Sequence, residues 1–388
     1  MTAPRILHFR NCRGIATITG PETRLLNLFG RVDPASFELH LLCLLNPRGP
    51  RPVFDDALWR QAVGGRHRLH LIQMAHAFSP ADAFALRAIV QREGIHLIAT
   101  HDARSNVIGL GTARAYQRPT IAFAHGWVNW AHRLSKARLY AALEALAIRL
   151  ADRVVVASRA MRDDLLRRGI PAEKIRHIPH GVDTDRFRPE GNGSVVRREL
   201  GIPPDAPLIG TVGRLQPWKG HRYFLEAARA ILEARPAARF LVVGDITSAA
   251  DRAYRDEVQR LSDHLGLRGR CLFVGTRTDI PDVMRALDVF LLSSVREPFG
   301  WVLLEAQACG TPVVSFAVDG TPEALEDGTT GLLVPPRDSA ALAQAALRVL
   351  EDRSLRRAMG RAGRRWVSER FSIDAMVGAT EALYRELL

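Results

Sequence analysis

The strongest constraint on the fold is a regular alternation of strand-like apolar runs with segments of helical periodicity. A first series of predicted strands comprises residues 6–9, 39–45, 69–72, 97–100, 120–124 and 154–157. A second series comprises residues 208–212, 240–243, 271–274, 289–292 and 312–316. Predicted helices between them include 133–150, 159–168, 222–233, 253–265 and 301–308. This alternation indicates an α/β fold with parallel sheets that are covered on both faces.

The two series are separated by a polar stretch, residues 180–193, that is rich in proline and glycine. Because 388 residues exceed one ordinary hydrophobic core, we expect two doubly wound, Rossmann-like domains. Their predicted bounds are 1–185 and 186–370, with a C-terminal helix at about 371–388 packing back on the first domain. Ligands bind beyond the carboxyl ends of strands in such sheets, so two facing domains would hold a ligand in a central cleft.

Composition is that of a soluble globular protein, with 47% hydrophobic and 24% charged residues. No apolar run approaches the ~18 residues of a membrane span, and the N-terminus shows no signal-peptide apolar region. The four cysteines are scattered and form no CxxC pair. We therefore expect a protein of the reducing cytoplasm with neither disulfides nor a zinc site.

Positive charge is concentrated in the first half of the chain. Residues 1–185 hold 26 Lys and Arg against 15 Asp and Glu, and the remainder holds 28 against 26. A basic half suggests an anionic partner, namely nucleic acid, a phospholipid surface or a phosphorylated substrate. The alternative is a solvated arginine-rich surface without a partner. The chain contains only three lysines, at positions 136, 174 and 219, so its basic residues are mostly arginine.

A basic, glycine-bounded turn follows the predicted strand 208–212, with the sequence GRLQPWKG. Gly213 lets the backbone approach a ligand closely. Arg214 and Lys219 place two cations at the carboxyl end of a strand, an arrangement suited to a diphosphate. The alternative is a surface turn with solvated charges.

A second motif, SSVREPFGWVLLEAQACGTPVV, spans residues 293–314 and contains carboxylates at Glu297 and Glu305. The free N–H groups near 299–302 and the helix dipole favour an anion such as phosphate, and Gly300 leaves room for it. Glu297 would lie in the preceding loop, where it could accept hydrogen bonds from hydroxyls. Glu305 would lie about a turn and a half inside the helix, where a carboxylate needs a partner such as a ribose hydroxyl.

Glu297 and Glu305 form an E-x7-E pattern within EPFG…EA.A.G.PVV, which resembles the retaining nucleotide-sugar glycosyltransferases of family four, with the GT-B fold. The resemblance continues at residues 158–187 (SRAMRDDLLRRGIPAEKIRHIPHGVDTDRF), 213–220 and 320–335 (GTPEALEDGTTGLLVP). It covers nearly the whole C-terminal half and is weaker over the first 150 residues. It implies that 1–185 binds the acceptor and 186–370 binds the nucleotide sugar.

The resemblance also implies a role for individual residues. Arg214 and Lys219 would clamp the diphosphate, Glu297 would bind hydroxyls of the transferred sugar, and Glu305 would bind the ribose. His125 matches the family's active-site histidine near that sugar, although alone it could be an ordinary histidine at a strand end. Further implied donor contacts are Gly20, Gly213, Arg277, Asp279, Phe299, Gly300, Trp301 and Val302. Weaker acceptor candidates are Asn11, Arg13, Trp127 and Trp130, of which the tryptophans could stack on a sugar or simply pack.

The chain departs from the family pattern at its first loop. Family members commonly carry a Gly-Gly pair there, whereas the matching segment 19–26 has Gly20 followed by Pro21. Proline removes one N–H, so any donor contact made through that amide must be absent or replaced.

The implied reaction is transfer of a hexose or N-acetylhexosamine from a nucleoside diphosphate sugar, a UDP-sugar first and GDP-mannose second. The acceptor would be a glycan or a lipid-linked sugar. Because Glu297 is assigned to hydroxyls, we find no candidate for a glutamate nucleophile below the sugar and expect front-face substitution. The resemblance further implies that no metal or other cofactor takes part. Alternatives are a phosphorylase or disaccharide synthase on the same scaffold, and an inactive sugar-nucleotide-binding module.

The basic N-terminal half then has a second explanation. The predicted helices 133–150 and 159–168 mix Arg and Lys with Leu, Ala and Ile, and could rest on an anionic membrane surface near a lipid-linked acceptor. The alternative is that both helices lie on the surface of a soluble enzyme. Nucleic-acid binding is suggested by charge alone and no recognised motif supports it, so we expect no nucleic-acid partner.

Overall fold

A computed structural model of the chain describes residues 3–12, 20–45, 67–73, 80–126, 135–246 and 251–388. The chain forms two compact units. The first unit combines Met1–Gly181 with Ile373–Leu388, and the second is Val182–Ser372. The boundary drawn from the sequence, between residues 185 and 186, lies just beyond the observed one.

The first unit contains a seven-stranded parallel sheet with the strand order β3-β2-β1-β4-β5-β6-β7. Its strands are β1 (Arg5–Asn11), β2 (Glu38–Leu45), β3 (Arg68–Gln73), β4 (Leu97–Thr100), β5 (Thr120–Ala124), β6 (Arg153–Val156) and β7 (Ile175–His177). Its described helices are α1 (Gly20–Arg31), α2 (Pro80–Arg92), α3 (Ala103–Ala115), α4 (Ser135–Leu150), α5 (Arg159–Arg167) and the C-terminal helix (Ile373–Leu387).

Alternate residues of β1 enter two different cores, because successive side chains of a strand point to opposite faces. Ile6 packs with residues of α1 and the C-terminal helix, such as Leu25 and Met376. Leu7 packs with residues of α2, such as Leu86. Helices therefore cover both faces of this sheet.

The second unit contains a six-stranded parallel sheet with the order β10-β9-β8-β11-β12-β13. Its strands are β8 (Leu208–Val212), β9 (Arg239–Val243), β10 (Cys271–Phe273), β11 (Val289–Leu292), β12 (Val313–Phe316) and β13 (Gly331–Val334). Its described helices are α6 (Gly193–Glu199), α7 (His221–Ala234), α8 (Arg252–His264), α9 (Ile280–Ala286), α10 (Trp301–Ala308), α11 (Thr321–Ala324), α12 (Ser339–Glu351) and α13 (Arg353–Arg370).

The predicted α/β fold with two parallel sheets is confirmed, and the predicted strands agree with the observed ones to within one or two residues at each end. Two strands escaped prediction: β7, which has three residues, and β13, which has four. Both lie at the edge of their sheet. Pro312 was wrongly included in β12, because proline lacks the N–H of a ladder, although its carbonyl accepts the Phe290 N–H at 2.9 Å.

The segment 20–26 is also corrected. We expected a loop there, but α1 begins at Gly20, so Pro21 occupies the first turn of a helix. The first amides of a helix have no partner within the helix, so proline costs little at this position. None of the described helices is both long enough and apolar enough to cross a bilayer.

Each sheet has one place where the strand order reverses, between β1 and β4 in the first unit and between β8 and β11 in the second. Such a switch point leaves room for a ligand beyond the carboxyl ends of the two central strands. In the second unit, the two motifs found in the sequence follow β8 and β11 directly. The fold thus brings both motifs to the same edge of one sheet.

Candidate functional site

The loops after β8 and β11 are joined by hydrogen bonds at the switch point of the second unit. The Val295 N–H donates to the Trp218 carbonyl at 2.8 Å, and the Ser293 hydroxyl donates to the Lys219 carbonyl at 3.4 Å. Gly220 adopts a left-handed conformation with φ of 66°, and a Cβ there would overlap the Ser293 carbonyl oxygen. A glycine is therefore required where the two loops meet.

Lys219 and Glu297 form an ion pair across this junction, with 2.6 Å between Nζ and Oε2. Their side chains are 18% and 10% exposed, so the pair is largely shielded from water. The Ser294 hydroxyl donates to the same carboxylate oxygen at 3.3 Å. The two residues that the resemblance assigned to the diphosphate and to the sugar thus contact each other.

The loop after β12 holds the Glu297 backbone in place. Asp319 accepts the Glu297 N–H at 2.9 Å and the Arg296 Nε–H at 2.8 Å. The Gly320 N–H donates to the Glu297 carbonyl at 3.0 Å, and a Cβ on Gly320 would overlap the Pro298 carbonyl. These contacts fix the loop on both sides of the carboxylate.

Helix α10 begins directly after this loop. Gly300 is its N-terminal cap, with φ of 90°, and no side chain caps the helix end. The Leu303 N–H donates a hydrogen bond to the Gly300 carbonyl at 2.8 Å. Phe299 is only 2% exposed and its ring packs on Phe371, so its side chain belongs to the core and only its backbone could meet a ligand.

Glu305 lies one and a half turns further along α10, with Leu304 and Ala306 buried beside it. Burial raises the pKa of its carboxyl from 4.5 to about 7, and the nearby Arg186 opposes this only in part. Within the part of the chain that the structure describes, its carboxyl makes no hydrogen bond or ion pair. It is thus a partly buried acid that has an unused hydrogen-bonding capacity.

The other predicted residues of the second unit are less clearly directed to this site. The Arg214 guanidinium lies 6.0 Å from the centre of the Trp218 ring. Arg277 uses Nε, Nη1 and Nη2 on the carboxylates of Asp279 and Glu199. The implied donor contacts of Arg277 and Asp279 therefore compete with an ion pair between these two residues, and they stay a prediction.

In the first unit, His125 follows β5 and its Nε2 lies 2.9 Å from Nδ1 of His101. Burial lowers its pKa well below 6.5, and the nearby Arg10 and Arg24 lower it further. The Asn11 N–H donates to Oδ2 of Asp102 at 2.7 Å, which joins the ends of β1 and β4. Three acceptor candidates, Arg13, Trp127 and Trp130, lie outside the described residues.

Two sequence families match the chain. The family described as Glycosyltransferase Family 4 matches residues 18–186, and the family described as Glycosyl transferases group 1 matches residues 194–366. The chain belongs to the family 4 glycosyltransferases. The family expected from the E-x7-E pattern and its flanking motifs is thereby confirmed.

Individual relatives of this family 4 glycosyltransferase agree with the assignment. The chain is 34% identical over 244 residues to a D-inositol 3-phosphate glycosyltransferase of Streptomyces bingchenggensis, a stretch that is 61% of this chain. The match spans about half the length of that relative, 53%. Over 96% of this chain and 95% of the relative, it is 28% identical to the UDP-Gal:alpha-D-GlcNAc-diphosphoundecaprenol alpha-1,3-galactosyltransferase of Escherichia coli.

Among solved structures, the sucrose-phosphate synthase of Thermosynechococcus elongatus matches with a TM-score of 0.84 at 26% identity, over 99% of both chains. This likeness confirms the predicted GT-B fold of the family 4 glycosyltransferase.

Sequence reasoning missed several residues that shape the site of this glycosyltransferase. Asp319, Ser294 and Gly220 hold the loops that carry Lys219 and Glu297. Gly220 is part of the GRLQPWKG turn and Gly320 opens the segment 320–335, so the glycines were visible in the motifs. Asp319 gave no signal, because its contact depends on β12 lying beside β11.

Among the described residues of the chain, no cluster of three or more His, Cys, Asp or Glu could hold a metal ion. At the switch point of the second unit, Lys219 provides a cationic side chain beside Glu297.

Gly220→Ala should lower the melting temperature by about 4–8 °C. A left-handed alanine costs ~1–2 kcal/mol and the overlap with Ser293 adds to it, while each kcal/mol corresponds to ~2–4 °C for a domain of this size. Thermal unfolding followed by circular dichroism measures the shift. Gly213→Ala is the matched control, because its Cβ would meet only the Lys219 side chain at 3.8 Å or more. A Gly220→Ala protein as stable as this control would contradict the prediction.

Glu305 should make the protein less stable as the pH rises. Since its pKa is about 7 in the folded chain and about 4.5 when unfolded, its stabilising contribution is complete below pH 4.5 and is lost towards pH 7. The expected loss is about 1–3 kcal/mol of unfolding free energy, because each pKa unit corresponds to ~1.36 kcal/mol and some exposure weakens the effect.

Urea unfolding at pH 5 and pH 8 tests this dependence. Glu305→Gln should remove the loss, whereas Glu326→Gln, a change at an exposed acid of the same unit, should leave it unchanged. Equal pH dependence in wild type and Glu305→Gln would show that the carboxyl of Glu305 is not perturbed.

Proposed function

We propose that the chain transfers a hexosyl or N-acetylhexosaminyl group from a nucleoside diphosphate sugar to a glycan or a lipid-linked sugar. In this reaction the second unit would bind the donor and the first unit would bind the acceptor. Retention of anomeric configuration and independence from metal belong to the same proposal.

The observation that carries it is the Lys219–Glu297 pair, which lies directly before the N-terminus of α10. A diphosphate needs cations and N–H donors, and the sugar and ribose need carboxylates that accept from hydroxyls. Lys219 supplies the first need together with the amides near Gly300. Glu297 and Glu305 supply the second, one on each side of that helix end.

A diphosphate would change the pairing of Lys219. The lysine now faces a carboxylate at 2.6 Å, so an incoming diphosphate competes with Glu297 for it. As Lys219 turns towards the phosphates, Glu297 keeps its Ser294 hydrogen bond and gains capacity for sugar hydroxyls. Lys219 would then contact the diphosphate of the donor, and Glu297 would contact its sugar.

The donor base and the acceptor are proposed from the relatives. The name of the Escherichia coli relative includes UDP-Gal and a diphosphoundecaprenol-linked GlcNAc, and its match covers nearly all of both chains. We therefore favour a UDP-sugar, with GDP-mannose second, and an acceptor linked to a lipid diphosphate.

For the chemical step we propose front-face substitution. The bond between the anomeric carbon and the leaving phosphate oxygen breaks as the bond to the acceptor oxygen forms on the same face, and the phosphate oxygen takes the acceptor's proton. Lys219 and the start of α10 would stabilise the charge that develops on the diphosphate. No carboxylate of the chain is assigned as a nucleophile.

A thermal-shift series with UDP, GDP, ADP and TDP, each in EDTA, tests the donor site. A ligand at ~100 times its Kd adds ~2.7 kcal/mol, which corresponds to a rise of several degrees for a chain of this size. The nucleotide that stabilises most should then serve as donor in a transfer assay with a lipid-linked acceptor. No shift with any nucleotide would contradict the donor site, and loss of transfer in EDTA that magnesium restores would contradict metal independence.

A second acceptor class has one observation in its favour, the structural likeness to a sucrose-phosphate synthase. A soluble sugar phosphate would then replace the lipid-linked acceptor at the first unit. Transfer assays with both acceptor classes and one donor separate these candidates, because only the soluble acceptor would be glycosylated in the second case.

An apolar stripe on α4 fits a lipid-linked acceptor better. Leu143, Leu146 and Leu150 lie on one face and are 36%, 55% and 43% exposed. Leu146 also lines a groove of about 280 Å³, together with Arg149 and Arg168. We propose that this surface touches anionic lipid while the acceptor is bound, and that the protein is cytoplasmic and associates with the membrane peripherally.

The double change Leu146→Ser with Leu150→Ser should weaken binding to vesicles that contain phosphatidylglycerol by at least about tenfold. Each exposed leucine that enters the lipid contributes on the order of 1 kcal/mol or more. Co-sedimentation at low salt measures the loss. Phe84→Ser, at a residue of α2 that is 64% exposed, is the control and should not change binding. If the wild-type protein did not co-sediment with anionic vesicles, the membrane contact would be excluded.

A further inference from the structure

Three neighbouring strands of the first unit each place a histidine near the carboxyl edge of the sheet. His8 lies within β1, His101 follows β4 and His125 follows β5, and these strands are adjacent. His8 and His101 are 0% and 2% exposed. Their rings are stacked in series, with centroids 5.1 Å apart from His8 to His101 and 5.2 Å apart from His101 to His125.

Hydrogen bonds join these rings into one chain that ends at the C-terminal helix. Nε2 of His125 lies 2.9 Å from Nδ1 of His101, and Nε2 of His101 lies 2.8 Å from Nδ1 of His8. Nε2 of His8 lies 2.8 Å from the hydroxyl of Tyr384. In each histidine, Nε2 is thus the nitrogen on the side of Tyr384, and in His8 and His101 Nδ1 is the nitrogen on the side of His125. Nδ1 of His125 is the outer end of the series.

A neutral imidazole has one N–H donor and one acceptor nitrogen. Only two arrangements of hydrogens therefore satisfy all three contacts. In the first, Tyr384 donates to His8, and each histidine carries its hydrogen on Nδ1. In the second, every hydrogen bond is reversed, and each histidine carries its hydrogen on Nε2.

The surroundings of Tyr384 favour the first arrangement. The side chain is fully buried, and among the described residues its hydroxyl has no hydrogen-bond partner other than His8. The second arrangement would leave the buried O–H hydrogen without an acceptor, which is unfavourable. The first arrangement satisfies every member and leaves the Nδ1–H of His125, which has no partner in the described part of the chain, at the outer end.

The charged groups around the three histidines keep them neutral. Arg24 lies 5.2 Å over the Phe123 ring and 3.4 Å from His180, and Arg10 donates to the His101 carbonyl at 2.7 Å. Arg10 is itself paired with the buried Glu22 at 2.7 Å. Burial, and after it Arg24, lowers the pKa of His8 to about 3. Burial, the neighbouring histidines and both arginines lower the pKa of His101 well below 6.5.

We propose that Tyr384, His8 and His101 are positioning residues that hold His125 as the Nδ1–H tautomer. His125 then presents a hydrogen-bond donor, and not a lone pair, at its outer nitrogen. Towards a sugar hydroxyl this would make it a neutral donor that cannot take the acceptor's proton at Nδ1. The role towards a sugar depends on the proposed function, whereas the tautomer does not.

The test reads the ring nitrogens directly, by NMR of the full-length protein labelled with nitrogen-15 in histidine, without nucleotide or acceptor. Single His→Gln variants assign the signals. In the wild type, His8, His101 and His125 should each carry the hydrogen on Nδ1. Tyr384→Phe keeps the ring and removes the terminal donor, so His125 should show the Nε2–H form in a substantial fraction of molecules.

Tyr254→Phe is the matched control, because the Tyr254 hydroxyl lies 3.5 Å from Nδ1 of His221 in the other unit. It should leave the signals of His125 unchanged. Wild-type His125 with its hydrogen on Nε2 would overturn the proposal, whether or not Tyr384→Phe folds. A folded Tyr384→Phe protein with unchanged His125 signals would overturn the role of Tyr384. Neither outcome depends on whether the donor site is correct.

Discussion

Glu297→Gln should reduce sugar transfer by about 10²-fold or more and leave nucleotide affinity within about threefold of the wild type. Glutamine fills the same space and can still accept a hydrogen bond from Lys219, so the loop should keep its position. The lost charge acts where sugar hydroxyls and developing positive charge would lie, and removing one such electrostatic contact costs ~2.7–4 kcal/mol in the transition state.

The Lys219–Glu297 contact sharpens this expectation for binding. In the wild type the carboxylate neutralises Lys219, with 2.6 Å between them. A neutral glutamine frees the lysine's charge for the diphosphate, so nucleoside diphosphate affinity should stay level or rise while turnover falls. Steady-state kinetics with the preferred donor and calorimetry with the nucleotide alone separate the two effects.

Ser294→Ala is a graded control for this change, since it removes only the 3.3 Å hydrogen bond to the same carboxylate. It should lower transfer less than Glu297→Gln does. Glu326→Gln, at an exposed carboxylate, should change neither turnover nor binding. If Glu297→Gln weakened nucleotide binding and transfer equally, Glu297 would be a general binding residue and its assignment to the sugar would be wrong.

Much of the fold could be predicted from the sequence, for a simple reason. Central strands of a parallel sheet are covered on both faces and therefore read as continuous apolar runs, as Val289–Leu292 does. The edge strand Ile175–His177 has two polar residues among three, so it gives no such signal. The strand Gly331–Val334 is short and begins with glycine, which hides it in the same way.

The site was predictable only as far as local motifs reach. Lys219 and Glu297 are 78 residues apart, and their contact exists because β8 and β11 are neighbours at the point where the strand order reverses. The sequence indicated two separate charged motifs, and nothing in it predicted that Lys219 and Glu297 contact each other. Arg277 illustrates the same limit, because it lies in a loop and its partner Glu199 lies at the end of α6, also 78 residues away.

The histidine chain shows a further limit. His125 could be singled out from a motif, but His8 and His101 lie within or beside ordinary strands and match no pattern. Tyr384 is 376 residues from His8 and reaches it only because the C-terminal helix packs in the first unit. Contacts of this kind follow from the complete fold and cannot be read from any local stretch.

Lys219→Ala should weaken binding of the preferred nucleoside diphosphate by about 10–100-fold, because hydrogen bonds to charged groups contribute ~1.5–3 kcal/mol. Part of this loss has a second origin. Without the lysine, the Glu297 carboxylate is left unpaired and partly buried, and it repels the incoming diphosphate. The double variant Lys219→Ala with Glu297→Gln should therefore bind the nucleotide more tightly than Lys219→Ala alone, although more weakly than Glu297→Gln.

Calorimetric titration of the four proteins closes this cycle and measures the coupling between the two residues. Arg222→Ala is the matched control, since it removes one positive charge from the same unit, where the side chain is 56% exposed and forms an ion pair with Glu226 one turn along the helix. It should leave nucleotide affinity nearly unchanged. If Lys219→Ala bound the nucleotide as tightly as the wild type, the ion pair would only hold the two loops together, and the diphosphate would have to lie elsewhere.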